Sequence, residues 1–307
     1  MKKSLKLKLG MSVASLALLA GALSTTTYAW FTTNAEAKVS NVKVNAEATS
    51  DSIYLSLDGT HFSNSVAITA DNVQLTAVSY NTDAYQKYTG NDASAWSDVT
   101  EGKVASTDGV SGTAAEGAYL TFTIFFKTTA TNASDIVFDS TKTTFTNGEN
   151  KAFTLLANYG EAQAGTTYSD GYLVNATRLA VTSYANGVAG ATATAASEFG
   201  TGTRAVYNTK EAAHTAVDKG GAITTDNAAW NYYQAVMGTK TTAPVADNAK
   251  DITDTAVVAA KATSGNVYRA DFAFYVEGWD ADCMDAILNQ AVTMALSFKL
   301  ASTSTSE

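Results

Sequence analysis

Five stretches of this chain alternate apolar and polar residues with a period of two. They run through Val42, Val44, Ala46 and Ala48; through Ile53, Leu55 and Leu57; through Leu120, Phe122, Ile124 and Phe126; through Tyr268 to Val276; and through Val292 to Leu300. A period of two puts one set of side chains on each face of an extended segment, the signature of a half-buried strand. Val66–Thr69 and Val73–Tyr80 read as further strands, as do Asp135–Asp139, Phe153–Tyr159 and Tyr172–Tyr184. In the third stretch Phe125 interrupts the polar face, which places that strand centrally in its sheet. The fold expected is all-β: a jelly-roll-like β-sandwich with long loops, a polar insertion and one or two short helices. The C-terminal strand, polar corner and strand read as a hairpin that locks it.

The connecting segments carry turn chemistry. Asp58-Gly59 supplies a turn that tolerates positive φ. Residues 81–117 are polar and dotted with glycine, and read as a long loop or short hairpin excursion. Across 185–265 the apolar periodicity fades, and a stretch this long without a period reads as an insertion within one sandwich. Short helices are expected at Lys210–Val217, Trp230–Met237 and Asp282–Asn289.

At the N-terminus, Lys2, Lys3, Lys6 and Lys8 precede an uncharged run from Met11 to Leu23. A bilayer-spanning helix needs about 20 apolar residues, so this run fits an export signal better than an anchor. Thr27-Tyr28-Ala29 offers small residues at both positions a signal peptidase reads, so cleavage is expected between Ala29 and Trp30. The expected organisation is a signal peptide over 1–29 and one sandwich domain over 30–307, with no membrane span remaining after cleavage. Tyr28-Ala29-Trp30-Phe31-Thr32-Thr33 resembles the signal junction of the TasA/camelysin group of Gram-positive secreted proteins. The C-terminal stretch from Phe274 to Ala301, with its E-G-x-D-x-x-C corner, is similar to the end of proteins that carry such junctions. That resemblance implies a dedicated signal peptidase of the SipW type, a β-sandwich, and a role in biofilm-matrix fibres. It further implies strand donation: residues 30–48 enter a neighbouring subunit, with Trp30 and Phe31 as anchors and Val42, Val44, Ala46 and Ala48 as the strand face. The alternative is that Val39–Ala48 pairs within its own chain.

Composition narrows the partners. Removing residues 1–29 takes away four of the 20 basic residues and none of the 29 acidic ones, leaving a net charge of −13. Nucleic acids and anionic membranes are bound by basic surfaces, so neither is expected as a partner. The single cysteine, Cys283, precludes an internal disulfide.

Catalytic patterns are sparse. His61 and His214 are the two histidines, and no H-E-x-x-H or G-x-S-x-G is present. The first absence matters because camelysin-type relatives are described as metalloproteases. Glu277, Asp280, Asp282 and Asp285 are the densest acidic group; they read either as oxygen ligands for calcium or as a capped turn. Cys283 beside them is a small buried residue, an intermolecular disulfide partner or a reactive thiol. Tyr80, Tyr85, Tyr88 and Trp96 read as a carbohydrate-binding face or as loop packing. The function expected is structural rather than enzymatic: a secreted matrix or cell-surface protein with itself or related subunits as partners and no required cofactor. The competing class is a monomeric extracellular adhesin or carbohydrate-binding module.

Overall fold

The computed structural model describes residues 37–46, 52–81, 83–88, 96–148, 153–159, 161–168, 173–190, 194–209, 235, 249–278, 280, 283 and 290–301. The expected signal segment, Ala29, Trp30, Phe31, Ala48, His214, Asp282 and Asp285 lie outside them, as do nearly all residues of the three expected helices.

In chain order the first strands are β1 (Ala37–Ala46), β2 (Ile53–Ser56), β3 (Ser65–Thr69), β4 (Gln74–Leu75), β5 (Ala77–Asn81), β6 (Ala84–Tyr88) and β7 (Trp96–Asp98). Next come β8 (Glu101–Ser106), β9 (Ser111–Ala114), β10 (Tyr119–Thr128), β11 (Ser134–Phe138), β12 (Thr144–Asn147), β13 (Phe153–Thr154) and β14 (Thr167–Tyr168). One helical turn, α1 (Leu173–Ala176), leads into β15 (Thr177–Tyr184) and β16 (Val188–Ala189). After a 3₁₀ turn at Ala196–Phe199 come β17 (Gly202–Asn208), β18 (Val257–Ala262), β19 (Asn266–Glu277) and β20 (Ala291–Leu300).

The strands form two packed layers. In the first, β1 runs parallel to β20 on one side and antiparallel to β3 on the other. β9 continues this layer beyond β3, while β11 and β12 share the far side of β20, and β18 pairs with β11. In the second, β10 and β15 flank β19, β2 lies beside β10, and β17 lies beside β15. Two segments pass between layers. β8 pairs with β10 through Glu101–Lys103 and with β9 through Val104–Ser106. The strand expected over Val73–Tyr80 breaks at Thr76: β4 pairs with β1, and β5 pairs with β19. Such crossings make the corners of a sandwich.

The inward faces meet in one core. The Phe126 ring lies 5.1 Å from that of Phe298, and Phe145 stacks on Phe274 at 6.2 Å, in each case across the layers. Leu120, Phe122, Ile124 and Phe126 are all buried, as the alternation requires. Phe125, on the opposite face, is buried as well, against Phe199 and Val267. In β1 a register shift between Val39 and Asn41 marks a bulge. The extra residue changes the phase, so Ala37 and Val39 face inward together with Val42 and Val44.

Several expectations need correction. β19 and β20 do not form a hairpin, because β19 lies between β10 and β15 in one layer and β20 lies between β1 and β11 in the other. Residues 81–117, expected as a long loop or short hairpin excursion, hold four strands, of which β6 and β7 pair antiparallel. Tyr172–Tyr184 is not one strand: Leu173, Val174, Asn175 and Ala176 are all buried, which an alternating strand at a surface cannot achieve, and they form α1. Phe153–Thr154 pairs with Thr167–Tyr168 in a separate ribbon instead of continuing the sheet. Both ends of the span expected as an insertion, 185–265, are integral strands. β17 pairs with β15 along its whole length and β18 with β11, and small residues such as Ala259 and Ala262 fill the core where larger periodic ones were sought.

Two turns share one sequence, S-x-D-G, at Ser56–Gly59 and Ser106–Gly109. In each, the serine hydroxyl donates to the aspartate and accepts from the glycine N–H. Each aspartate then accepts two more backbone N–H bonds, from Thr60 and His61 or from Val110 and Ser111. Gly109 has φ +70°, and a Cβ there would sit 2.5 Å from the His61 carbonyl oxygen and 2.7 Å from Asp58 Oδ1. Left-handed backbone costs a side chain about 1–2 kcal/mol before any clash. Gly109→Ala is therefore expected to lower the melting temperature by roughly 5–10 °C. Gly165→Ala, at φ +81° with nothing within 4 Å, is expected to show only the smaller backbone effect.

Candidate functional site: a strand slot and a polar groove

The first site is the slot that β1 fills. Ala37, Val39, Val42 and Val44 are at most 1 % exposed, and Ala46 is half-buried at the end of the strand. Their alternation turns one face of β1 into core, and both backbone edges are paired, to β20 and to β3. β1 precedes every other described strand, and only residues 47–52 join it to β2 in the opposite layer. Of the residues expected to form a donor strand, Val42, Val44 and Ala46 thus pair within their own chain.

The second site is on the outer face of the second layer. Registered pairing aligns Thr123, Asp271, Thr182 and Arg204 in one row across β10, β19, β15 and β17. Ala273 and Ala180 pair in the neighbouring row. Two apolar caps rise on either side. One gathers Tyr85 over Tyr119 and Tyr275, at 4.6 and 4.7 Å between ring centres. The other gathers Phe199 and Tyr184 over Phe125 and Val267. Between them lies a groove of about 530 Å³.

Asp271 organises its floor. It accepts from Thr123 and Tyr184 at 2.6 Å each, and from Arg269 at 2.9 and 3.0 Å. Arg269 also donates to the Thr194 carbonyl of the facing cap. Burial, the Asp271 hydrogen bond and the Asp271 charge push the Tyr184 hydroxyl up to about 12. A raised tyrosine pKa contributes stability in full below the unfolded value near 10, which is lost as pH rises through the folded value. Tyr184→Phe is expected to flatten the fall in stability between pH 10 and 12. It should also remove a late-ionising step from an ultraviolet tyrosinate titration.

The four aromatic residues expected to form one binding face divide into two pairs. Tyr80 is registered opposite Tyr85, and Tyr88 opposite Trp96. Tyr80 and Tyr85 line the groove with Arg204, whose guanidinium lies 3.7 Å above the Tyr80 ring. Trp96 packs against the main core instead.

The acidic corner is interior. Glu277 and Asp280 are fully buried. Asp280 accepts from Arg178 in an ion pair, and Glu277 accepts from the Ser79 hydroxyl. Burial works against the Arg178 charge, but Asp280 and then Glu277 hold its pKa above the ordinary value. Cys283 is fully buried beside this corner. His61 is exposed and pairs with Asp58 at 2.7 Å. Burial raises the Asp58 pKa, yet its hydrogen bonds to His61, Thr60 and Ser56 bring the net value well below the usual carboxylate range. The sequence reading missed Thr123, Thr182, Arg204 and Asp271. The signal available was the shared parity of polar residues on the outer faces of strands whose inner faces are apolar, but the register that joins them comes only from pairing.

These features define an all-β sandwich whose first described strand is paired on both edges, with a polar groove on one outer face. Among the described residues no helix is long and apolar enough to cross a membrane. Comparison of the chain with protein-family profiles, with curated proteins and with solved structures gives no match.

Proposed function

We propose that this chain is an exported structural protein of the cell surface or extracellular matrix, and that it assembles into fibres by exchange of β1. The observation that carries the reading is the place of β1: a first strand, joined by one short link, seated centrally in a sheet between β20 and β3. Because β1 fills its own slot, growth is an exchange in which the β1 of one copy enters the slot of the next. The contacts formed are those broken, so concentration and link strain set the balance between closed monomer and polymer. The contact is heterologous, and such contacts propagate into filaments when they do not close. Export rests on the basic, apolar and small-residue order of the first 29 residues.

The test uses the chain from Trp30 onward, with Lys43→Cys and Ala295→Cys placed at paired positions of β1 and β20. Negative-stain microscopy is expected to show filaments. Oxidising them is expected to give a ladder of linked chains on a non-reducing gel. Filaments that oxidise only to internally linked monomers would refute strand exchange, and monomers at every concentration would refute fibre formation.

A further inference from the structure

We propose that the groove on the outer face of the second layer binds a neutral saccharide chain. The groove lies in the layer opposite β1, so this inference does not rest on strand exchange. Its volume of about 530 Å³ lies within the roughly 300–1,000 Å³ of ligand pockets.

The lining selects the class of ligand. Asp58, Glu101 and Asp271 face Lys103, Arg204 and Arg269, three acids against three bases, so the groove favours neither anions nor cations. A nucleic acid needs a basic track, and this is not one. An extended peptide would dock on unpaired backbone, but the backbone of the floor is committed to the pairing of β10, β19 and β15. What the floor offers is mixed. Arg269, Thr123 and Tyr184 fix Asp271, and so shape the floor rather than bind. Around it the Lys103 ammonium and the Thr182 hydroxyl make no hydrogen bond among the described residues. Glu101 accepts from Thr121 through Oε2, which leaves Oε1 to accept another.

A donor, a carboxylate acceptor and a hydroxyl that does both suit a ligand whose own groups are hydroxyls. Beside them the groove is apolar, with buried Ala180 and Ala273 beneath and Tyr80 and Tyr85 at one end. A pyranose ring has this double character, with hydroxyls around its edge and C–H groups on its face. The hydroxyl edge meets Lys103, Glu101 and Thr182, and the C–H face meets the tyrosine end. The sheet fixes the backbone that carries these groups, so little backbone order is lost on binding.

Calorimetric titration with cellohexaose, maltohexaose, mannohexaose and chitohexaose tests this, with a galacturonic acid oligomer as the charged comparison. At least one neutral chain is expected to bind. Thr182→Val and Lys103→Met are each expected to weaken it by about tenfold, the loss of one or two hydrogen bonds, with the melting temperature unchanged. Lys43→Ala, on the other layer, is expected to leave binding as it is. Absence of binding by all four neutral chains would overturn the proposal. So would binding indifferent to Thr182 and Lys103, or tighter binding of the charged oligomer.

Discussion

A chain beginning at Thr49 is expected to lose the folded monomer, and a peptide spanning residues 30–48 is expected to restore it. Val39, Val42 and Val44 are at most 1 % exposed, and each is worth about 1.5–3 kcal/mol of burial. Their joint loss, on the order of 5–9 kcal/mol, is comparable with the whole stability of a typical domain, about 5–15 kcal/mol. Truncation also bares the edges of β20 and β3, an invitation to aggregation. Near-ultraviolet circular dichroism and thermal melting of the truncated chain, with and without peptide, read the outcome. Val42→Lys or Val44→Lys in the peptide is expected to abolish rescue, because both residues face the core. Lys43→Ala is expected to preserve it, because Lys43 faces solvent. A truncated chain that melts like the parent without peptide would show that the slot needs no occupant, and strand exchange would lose its driving force.

Rescue by a peptide and growth of a filament are one reaction with different donors. If rescue succeeds while filaments never form, the slot accepts β1 but the link over 47–52 does not let it reach a neighbour.

The strands that were legible in the sequence are those whose core-facing set is unbroken and apolar. β10, β19 and β20 have clean alternation because each packs its even-numbered residues against the opposite layer. What escaped was of three kinds. β17 and β18 are built partly from Ala, Gly and Thr, which fill the space beside large aromatic neighbours such as Phe138 and Tyr207 without showing periodicity themselves. The break at Thr76 and the turn of α1 are tertiary events: the chain changes layer or tightens because of what it packs on. The groove was hidden for a related reason. Thr123, Thr182, Arg204 and Asp271 are ordinary outward-facing polar residues one at a time, and only the register brings them into one row. By contrast the repeated S-x-D-G turn was there to be read, since its glycines, aspartates and serines each fill a defined backbone role.

Replacing Arg178 by methionine is expected to cost about 3–5 kcal/mol, the loss seen when one member of a buried ion pair is removed. Arg178 is 2 % exposed, and Asp280 and Glu277 are fully buried. Its ion pair with Asp280 ties β15 to the corner after β19, and its guanidinium also donates to the Thr177 carbonyl at 2.9 Å. Without it, two buried carboxylates lose the Arg178 charge beside them. Asp280→Asn in the same background should recover part of the loss, because it removes one stranded charge; urea denaturation of the two single variants and the double variant measures the coupling. The same variants decide the role of the acidic corner. Because Asp280 is already engaged by Arg178 and Glu277 by Ser79, the melting temperature is expected to be indifferent to added calcium and to chelation. A calcium-dependent rise that disappears in Asp280→Asn would make the corner a cation site, with Arg178 as a competitor for the carboxylate instead of its structural partner.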